Sequence, residues 1–208
     1  MLSRCKEEQM NTRSRLGSSG KLTTRIIHAK GPGLLWKLSN LRRLVIPWLK
    51  IKLAKVFHVP TFYGSLRAVL KKGDGSVINY GLVSLKLVTT AFVEYMVDEM
   101  ITETSAWGDF QFHDSGVGVT PANVADTDIE TTDNEARTNG TQVEGVTGEI
   151  YVSVGEITYS GALAITEHGL FNIAAGGILL DHHVFSAINV ENTDSIEFTY
   201  NYTIDDGG

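Results

Sequence analysis

The sequence predicts a mainly β protein: an antiparallel β-sandwich of about seven or eight strands, with one short packing helix and a basic helical arm ahead of it. Three observations carry this expectation. Ile196, Phe198, Tyr200, Tyr202 and Ile204 alternate with Ser195, Glu197, Thr199, Asn201 and Thr203, the period of a strand with one face on a core and one in water. Turn-forming stretches recur between apolar runs from residue 61 onward. Charge divides along the chain: residues 1–72 hold 16 Lys and Arg against two acids, a net +14, and residues 73–208 hold two against 22, a net −20. That asymmetry predicts two parts, a flexible basic arm over 1–60 and an acidic β body over 61–208.

Taken in order, residues 1–32 are polar and interrupted by Gly17-Ser-Ser-Gly20 and Gly31-Pro-Gly33, which reads as a flexible tail. Neither a secretory signal nor a membrane-spanning helix is expected. The first twenty residues lack an apolar core, and six cations interrupt the apolar residues between Leu34 and Phe57. Lone Cys5 excludes an internal disulfide.

Residues 34–58 form an amphipathic basic pattern. Leu34, Leu35, Leu38, Leu41 and Val45 recur at helical spacing, and Leu49, Leu53 and Val56 continue beyond Pro47, which predicts two short helices broken at that proline. Leu38, Leu41, Arg42, Arg43, Trp48, Lys50, Lys52 and Lys55 are the candidate partner-docking residues, with Trp36 and Trp48 at the apolar–polar borders. A partner protein, a membrane surface and nucleic-acid phosphates are the three surfaces such a segment fits; the pattern favours the protein.

In the body, 65–71 and 77–88 read as a hairpin about Lys72-Gly-Asp-Gly75, and Thr89 or Thr90 caps a helix over 91–102. A short strand is expected over 108–113. The polar stretch 114–141 exceeds an ordinary connection, so it reads as a functional surface loop or a partly disordered one. Ile150, Val152 and Val154 alternate, then Ile157 and Tyr159 continue out of phase, which places a β-bulge at Gly155. Strands follow over 162–166, 178–190 and 195–204.

No catalytic motif is present, and the expectation is a non-enzymatic protein without cofactor or metal. Glu167-His168 and Asp181-His182-His183 are the densest polar clusters. Neighbours on a strand point to opposite faces, so His182 and His183 do not share one metal; the plainer reading makes one imidazole solvated and the other hydrogen-bonded near a sheet edge. Asp126-x-Asp128-x-Glu130 has the spacing of calcium ligands but lacks the glycine and closing acid of an EF-hand loop; a solvated acidic loop is the plainer reading, with a looser calcium site as the alternative. His113-Asp114-Ser115 carries triad letters in adjacent positions, whereas triad members converge from separate elements.

Ile165-Thr-Glu-His-Gly-Leu-Phe-Asn172, Gly176-Gly-Ile-Leu-Leu-Asp181, Val184-Phe-Ser-Ala-Ile-Asn-Val190 and Asp194-Ser-Ile-Glu-Phe-Thr-Tyr200 together resemble a poorly characterised family of virion structural proteins of tailed bacteriophages and prophages. The similarity extends back through Gly64-Ser-Leu-Arg-Ala-Val-Leu70, Thr89-Thr-Ala-Phe-Val93 and Phe112-His-Asp-Ser-Gly116, and omits the first sixty residues. It implies a particle component of the head surface, neck or tail, located in the virion, held by contacts with other virion proteins and homo-oligomeric. The matching residues are strands and turns, so no site residue is carried over. Two alternatives stand beside it: a module binding a glycan or host-surface ligand through 114–141 or a sheet face, and a peripheral membrane or nucleic-acid binder acting through the arm.

Overall fold

The computed structural model describes residues 10–16, 22–28, 30–57, 61–102 and 110–205. Two antiparallel sheets face each other, as the alternation predicts. One has the order β4 (Val77–Leu87), β3 (Thr61–Lys71), β11 (Ser195–Asp205), β8 (Ile150–Thr158), β7 (Val143–Glu144). The other runs β10 (Leu179–Val190), β9 (Leu163–Phe171), β5 (Phe112–Gly116), β6 (Thr138–Asn139). The final strand is central: β11 pairs β3 on one side and β8 on the other without a register break. Its Ile196, Phe198 and Tyr200 are fully buried against Phe185, Ile188 and Ile165 of the opposite sheet. Burying side chains of this size stabilises the fold by roughly 1.5–3 kcal/mol each.

Helix α2 (Thr90–Thr102) closes one end of the sandwich. The Thr89 hydroxyl accepts from the Phe92 N–H (3.2 Å), the N-cap bond the sequence predicts, and donates to the Leu179 carbonyl (2.6 Å), which ties the helix start to β10. Phe92 meets Phe110 and Tyr202 edge-on at 5.1 and 5.4 Å.

The N-terminal segment departs from expectation in two ways. Residues 10–16 and 22–28, read as part of a flexible tail, form an antiparallel pair of strands, β1 (Met10–Leu16) and β2 (Leu22–His28). Residues 34–56 form one continuous helix α1 (Leu34–Val56) that runs through Pro47. Proline forfeits the N–H that would bond the Arg43 carbonyl, but packing along the rest of the helix outweighs that loss. The chain enters α1 along the β4 edge, where the Lys30 N–H donates to the Val77 carbonyl (3.1 Å) and the Asn79 N–H to the Lys30 carbonyl (2.7 Å).

The bulge expected at Gly155 is absent. Strand β8 is regular, and Tyr151, Ser153, Gly155 and Ile157 point inward. Large apolar residues cannot occupy positions 153 and 155, because the His113 ring fills that space; a Cβ on Gly155 would meet its Cδ2 at 2.5 Å. The apparent phase shift is thus two small inward residues, Ser153 and Gly155, between larger inward ones, beside the outward Ile150, Val152 and Val154. Irregularities lie elsewhere: on β4, where Gly81 takes φ +66 and the pairing with β3 shifts register, and on β10, whose pairing with β9 shifts as well.

The strand expected over 108–113 begins later, at Phe112, and its earlier positions 108–109 lie outside the described residues.

Candidate functional site

Helix α1 carries two stripes. One, at Trp36, Asn40, Leu44, Pro47, Ile51 and Ala54, follows the helical period and faces the sandwich. The Trp36 indole N–H donates to the Ser186 carbonyl (2.9 Å) and its ring meets Tyr80 edge-on at 4.8 Å. Asn40, buried, donates to the Val83 carbonyl (2.7 Å) and accepts from the Ser186 N–H (3.1 Å). The helix therefore covers the open edges β4 and β10, one from each sheet.

The other stripe faces outward, and it is the more apolar of the two. Leu34 is 72% exposed, Leu35 83%, Leu38 57% and Leu41 54%; Ile46, Trp48, Leu49, Leu53, Val56 and Phe57 are exposed as well. Of the candidate docking residues, Leu38, Leu41 and Trp48 lie here, and the Lys52 ammonium sits 5.9 Å from the Trp48 ring centre. Arg43 and Lys50 line a cavity between helix and body instead. The side chains of Arg42 and Lys55 lie outside the described ones. The sequence reading did not single out Asn40 or Ile51, because the leucines dominate the helical pattern. Their signal was the helical spacing of Trp36, Asn40 and Ile51.

The two ends of 114–141 are strand, in β5 and β6, and the segment between them forms a cover over the outer face of β9 that Glu167 organises. That buried carboxylate accepts from the N–H groups of Gly118 (2.7 Å), Glu130 (2.8 Å) and Thr131 (2.8 Å), and from His182 Nε2 (3.0 Å). Burial works to raise its pKa; His182 and the three N–H donors outweigh burial and hold it below the usual carboxylate range. His182 is in turn held by Asp126 through Nδ1 (2.6 Å). Burial lowers its pKa, the two carboxylates raise it further than that, and the net shift is upward. Arg137 fixes the other end, bonding Asp114 (2.8 Å) and the Gly176 carbonyl (2.6 Å) with its guanidinium stacked on Phe171.

Asp126, Asp128 and Glu130 do not converge. Asp126 takes His182 and the Asn123 N–H, Asp128 the Ile129 N–H and Arg137, and Glu130 the N–H groups of Val119 and Thr120. Among the described residues no group of three or more His, Cys, Asp or Glu is placed to hold a metal ion.

His182 and His183 point to opposite faces, as strand geometry requires, but neither is solvated: both are buried. His183 shares the inter-sheet space with His168 and His113. His113 Nδ1 lies 3.0 Å from His168 Nε2, and His113 Nε2 2.8 Å from Ser153 Oγ. Burial pushes His113 down to about 3 and His168 well below its ordinary value, so both are neutral at physiological pH. Ser115, next but one to His113, donates to Asp133 and lies 3.1 Å from the Tyr159 hydroxyl. His113 and Ser115 are fully enclosed and 18 to 55 residues from their partners in sequence; they hold the sheets in register and do not meet Asp114, which faces the other way toward Arg137.

Comparison of the chain with protein-family models, with curated proteins and with solved structures finds no match.

Proposed function

We propose that this protein is a non-enzymatic assembly component, a structural part of a tailed-bacteriophage particle at the head surface, neck or tail, joined to its neighbours through helix α1. One observation carries the docking role: α1 packs on its own body with a mixed stripe led by Asn40 and presents its leucines outward. Contiguous exposed apolar residues of this kind mark interaction surfaces. The resemblance of residues 64–200 to virion structural proteins supplies the setting.

The occupant that fits is a second copy of this chain. The outward leucines run among cations, and residues 73–208 carry a net −20, so a neighbouring body offers complementary charge together with exposed Val119, Val124 and Val146. A contact between α1 of one copy and the body of the next joins two different patches, and it builds a ring where the rotation between copies closes.

Sedimentation of the full chain tests this. The expected result is a concentration-dependent oligomer that Leu38→Ser with Leu41→Ser converts to monomer, with the same pair of changes lowering recovery of the chain in purified particles. A monomer at every concentration, together with undiminished incorporation of the double variant, overturns it. Binding of the monomer to anionic vesicles with a blue shift of Trp48 emission would assign the stripe to a membrane surface instead.

A further inference from the structure

On the inward side of α1, between the helix and the β4/β10 edge, lies a cavity of about 250 Å³. Three cations from two elements converge on it: Arg43 and Lys50 from α1, Lys86 from β4. None of the three forms an ion pair with a described residue, although the chain as a whole is acidic. Arg43 and Lys86 also border an adjoining hollow of about 390 Å³ beside Pro121 and Val184.

Three cations here face a single acid in the cavity lining, Asp181. Lys86 is half-buried, and burial first, then Arg43 and Lys50, push its ammonium below the ordinary lysine value; Asp181 and Asp126 pull the other way without closing a contact. Three cations elsewhere in the body are matched: Lys71 bonds Glu156 and Glu197, Lys72 bonds Asp194, and Arg137 bonds Asp114. Lys71 and Lys72 border a hollow too, but Glu156 and Glu197 line it with them, whereas here three cations face one acid. A second feature points the same way. Asp181 borders the cavity and is buried; its Oδ2 accepts from the Tyr200 hydroxyl (3.3 Å), and its Oδ1 has no hydrogen-bond partner among the described residues.

From these placements we infer that the cavity is a binding site for a small phosphate monoester, whose phosphoryl group meets Arg43, Lys50 and Lys86 and whose hydroxyl donates to Asp181. A phosphate monoester brings nearly two negative charges and three acceptor oxygens, which matches three convergent cations better than a single carboxylate does. Arg43 supplies a planar fork suited to two phosphate oxygens, and the lysines supply point charges. The volume falls below that of drug-sized ligands, which restricts the ester to a few carbons. The same phosphoryl chemistry comes from a soluble ester or from a lipid headgroup reached along the helix. The site uses the side of α1 opposite the outward leucines and does not rest on the assembly role.

Calorimetric titration of the full chain with glycerol 3-phosphate, and with glycerol as the uncharged control, tests the site. The expected result is millimolar or tighter binding of the phosphate, none of glycerol, and about tenfold weaker binding in Lys86→Gln and in Arg43→Gln. Lys86→Arg retains binding, and Lys52→Gln, which removes an α1 cation outside the cavity, leaves it unchanged. Vesicles of phosphatidylcholine with phosphatidic acid separate the sources. Retention on them that Lys86→Gln abolishes and glycerol 3-phosphate competes away assigns the phosphoryl group to a headgroup, and no retention assigns it to a soluble ester. Absence of heat at millimolar glycerol 3-phosphate, or equal weakening by Lys52→Gln and Lys86→Gln, overturns the site.

Discussion

The Asn40 side chain donates to the Val83 carbonyl at 2.7 Å while its oxygen accepts from the Ser186 N–H at 3.1 Å. Val83 and Ser186 belong to the edge strands of different sheets, so one residue of α1 satisfies an open backbone group on each. Edge strands are otherwise templates for unwanted pairing. Asn40→Leu keeps the volume and removes both bonds, leaving a carbonyl and an N–H covered but unpaired. The expected loss is about 2–4 kcal/mol in a denaturant melt, with faster hydrogen exchange at Ser186. A variant as stable as the parent would show that α1 does not seal this edge.

Glu167→Gln should loosen the 117–131 cover while leaving the sheets folded. The carboxylate takes three backbone donors and His182, and a neutral amide replaces one acceptor oxygen with a donor. The expected cost is on the order of 2–4 kcal/mol, read as lost amide protection at Gly118, Glu130 and Thr131 with β9 protection retained. Uniform loss of protection over both sheets would instead make the cover part of the global folding unit.

The same pair gives the cover a pH window. His182 has a raised pKa, so its stabilisation is fully present below about 6.5 and is lost as pH rises through the raised value. Glu167 has a lowered pKa, so its stabilisation is present above about 4.5 and is lost as pH falls through the lowered value. Protection of the Gly118, Glu130 and Thr131 amides, corrected for intrinsic exchange, should peak between these limits. His182→Gln should abolish the decline on the alkaline side only.

Gly155→Ala should be destabilising and Gly161→Ala neutral. A methyl at 155 meets the His113 ring, whose Nε2 is already committed to Ser153, whereas a methyl at 161 meets nothing within 4 Å. Overpacking of this kind costs about 1–3 kcal/mol. Equal melting temperatures would place His113 elsewhere.

Phe198→Asp should be severe and Thr199→Asp mild. Phe198 is buried, its ring 4.6 Å from that of His168, while Thr199 is half-buried on the outer face opposite Arg67. Loss of the ring alone costs about 3–5 kcal/mol, to which an unpaired buried carboxylate adds. Thermal melts of the two variants read the register of β11 directly.

What the sequence by itself determined was the β-sandwich, the end of the chain as a strand with Phe198 inward, the Thr89 cap and the helical content of 34–56. Each depends on local periodicity or on a bond between near neighbours, which alternation and spacing express without reference to the rest of the chain. Only the tertiary structure decided which side of α1 faces the body. The leucines at 34, 35, 38 and 41 have the stronger pattern, but Asn40 wins the inward position because two edge strands present unpaired backbone groups there, and leucine cannot bond them. It also decided that 114–141 is ordered, through Glu167, and that β8 is regular, through a histidine filling the space over Gly155. These outcomes join residues 30 to 150 positions apart, and no local period records such contacts.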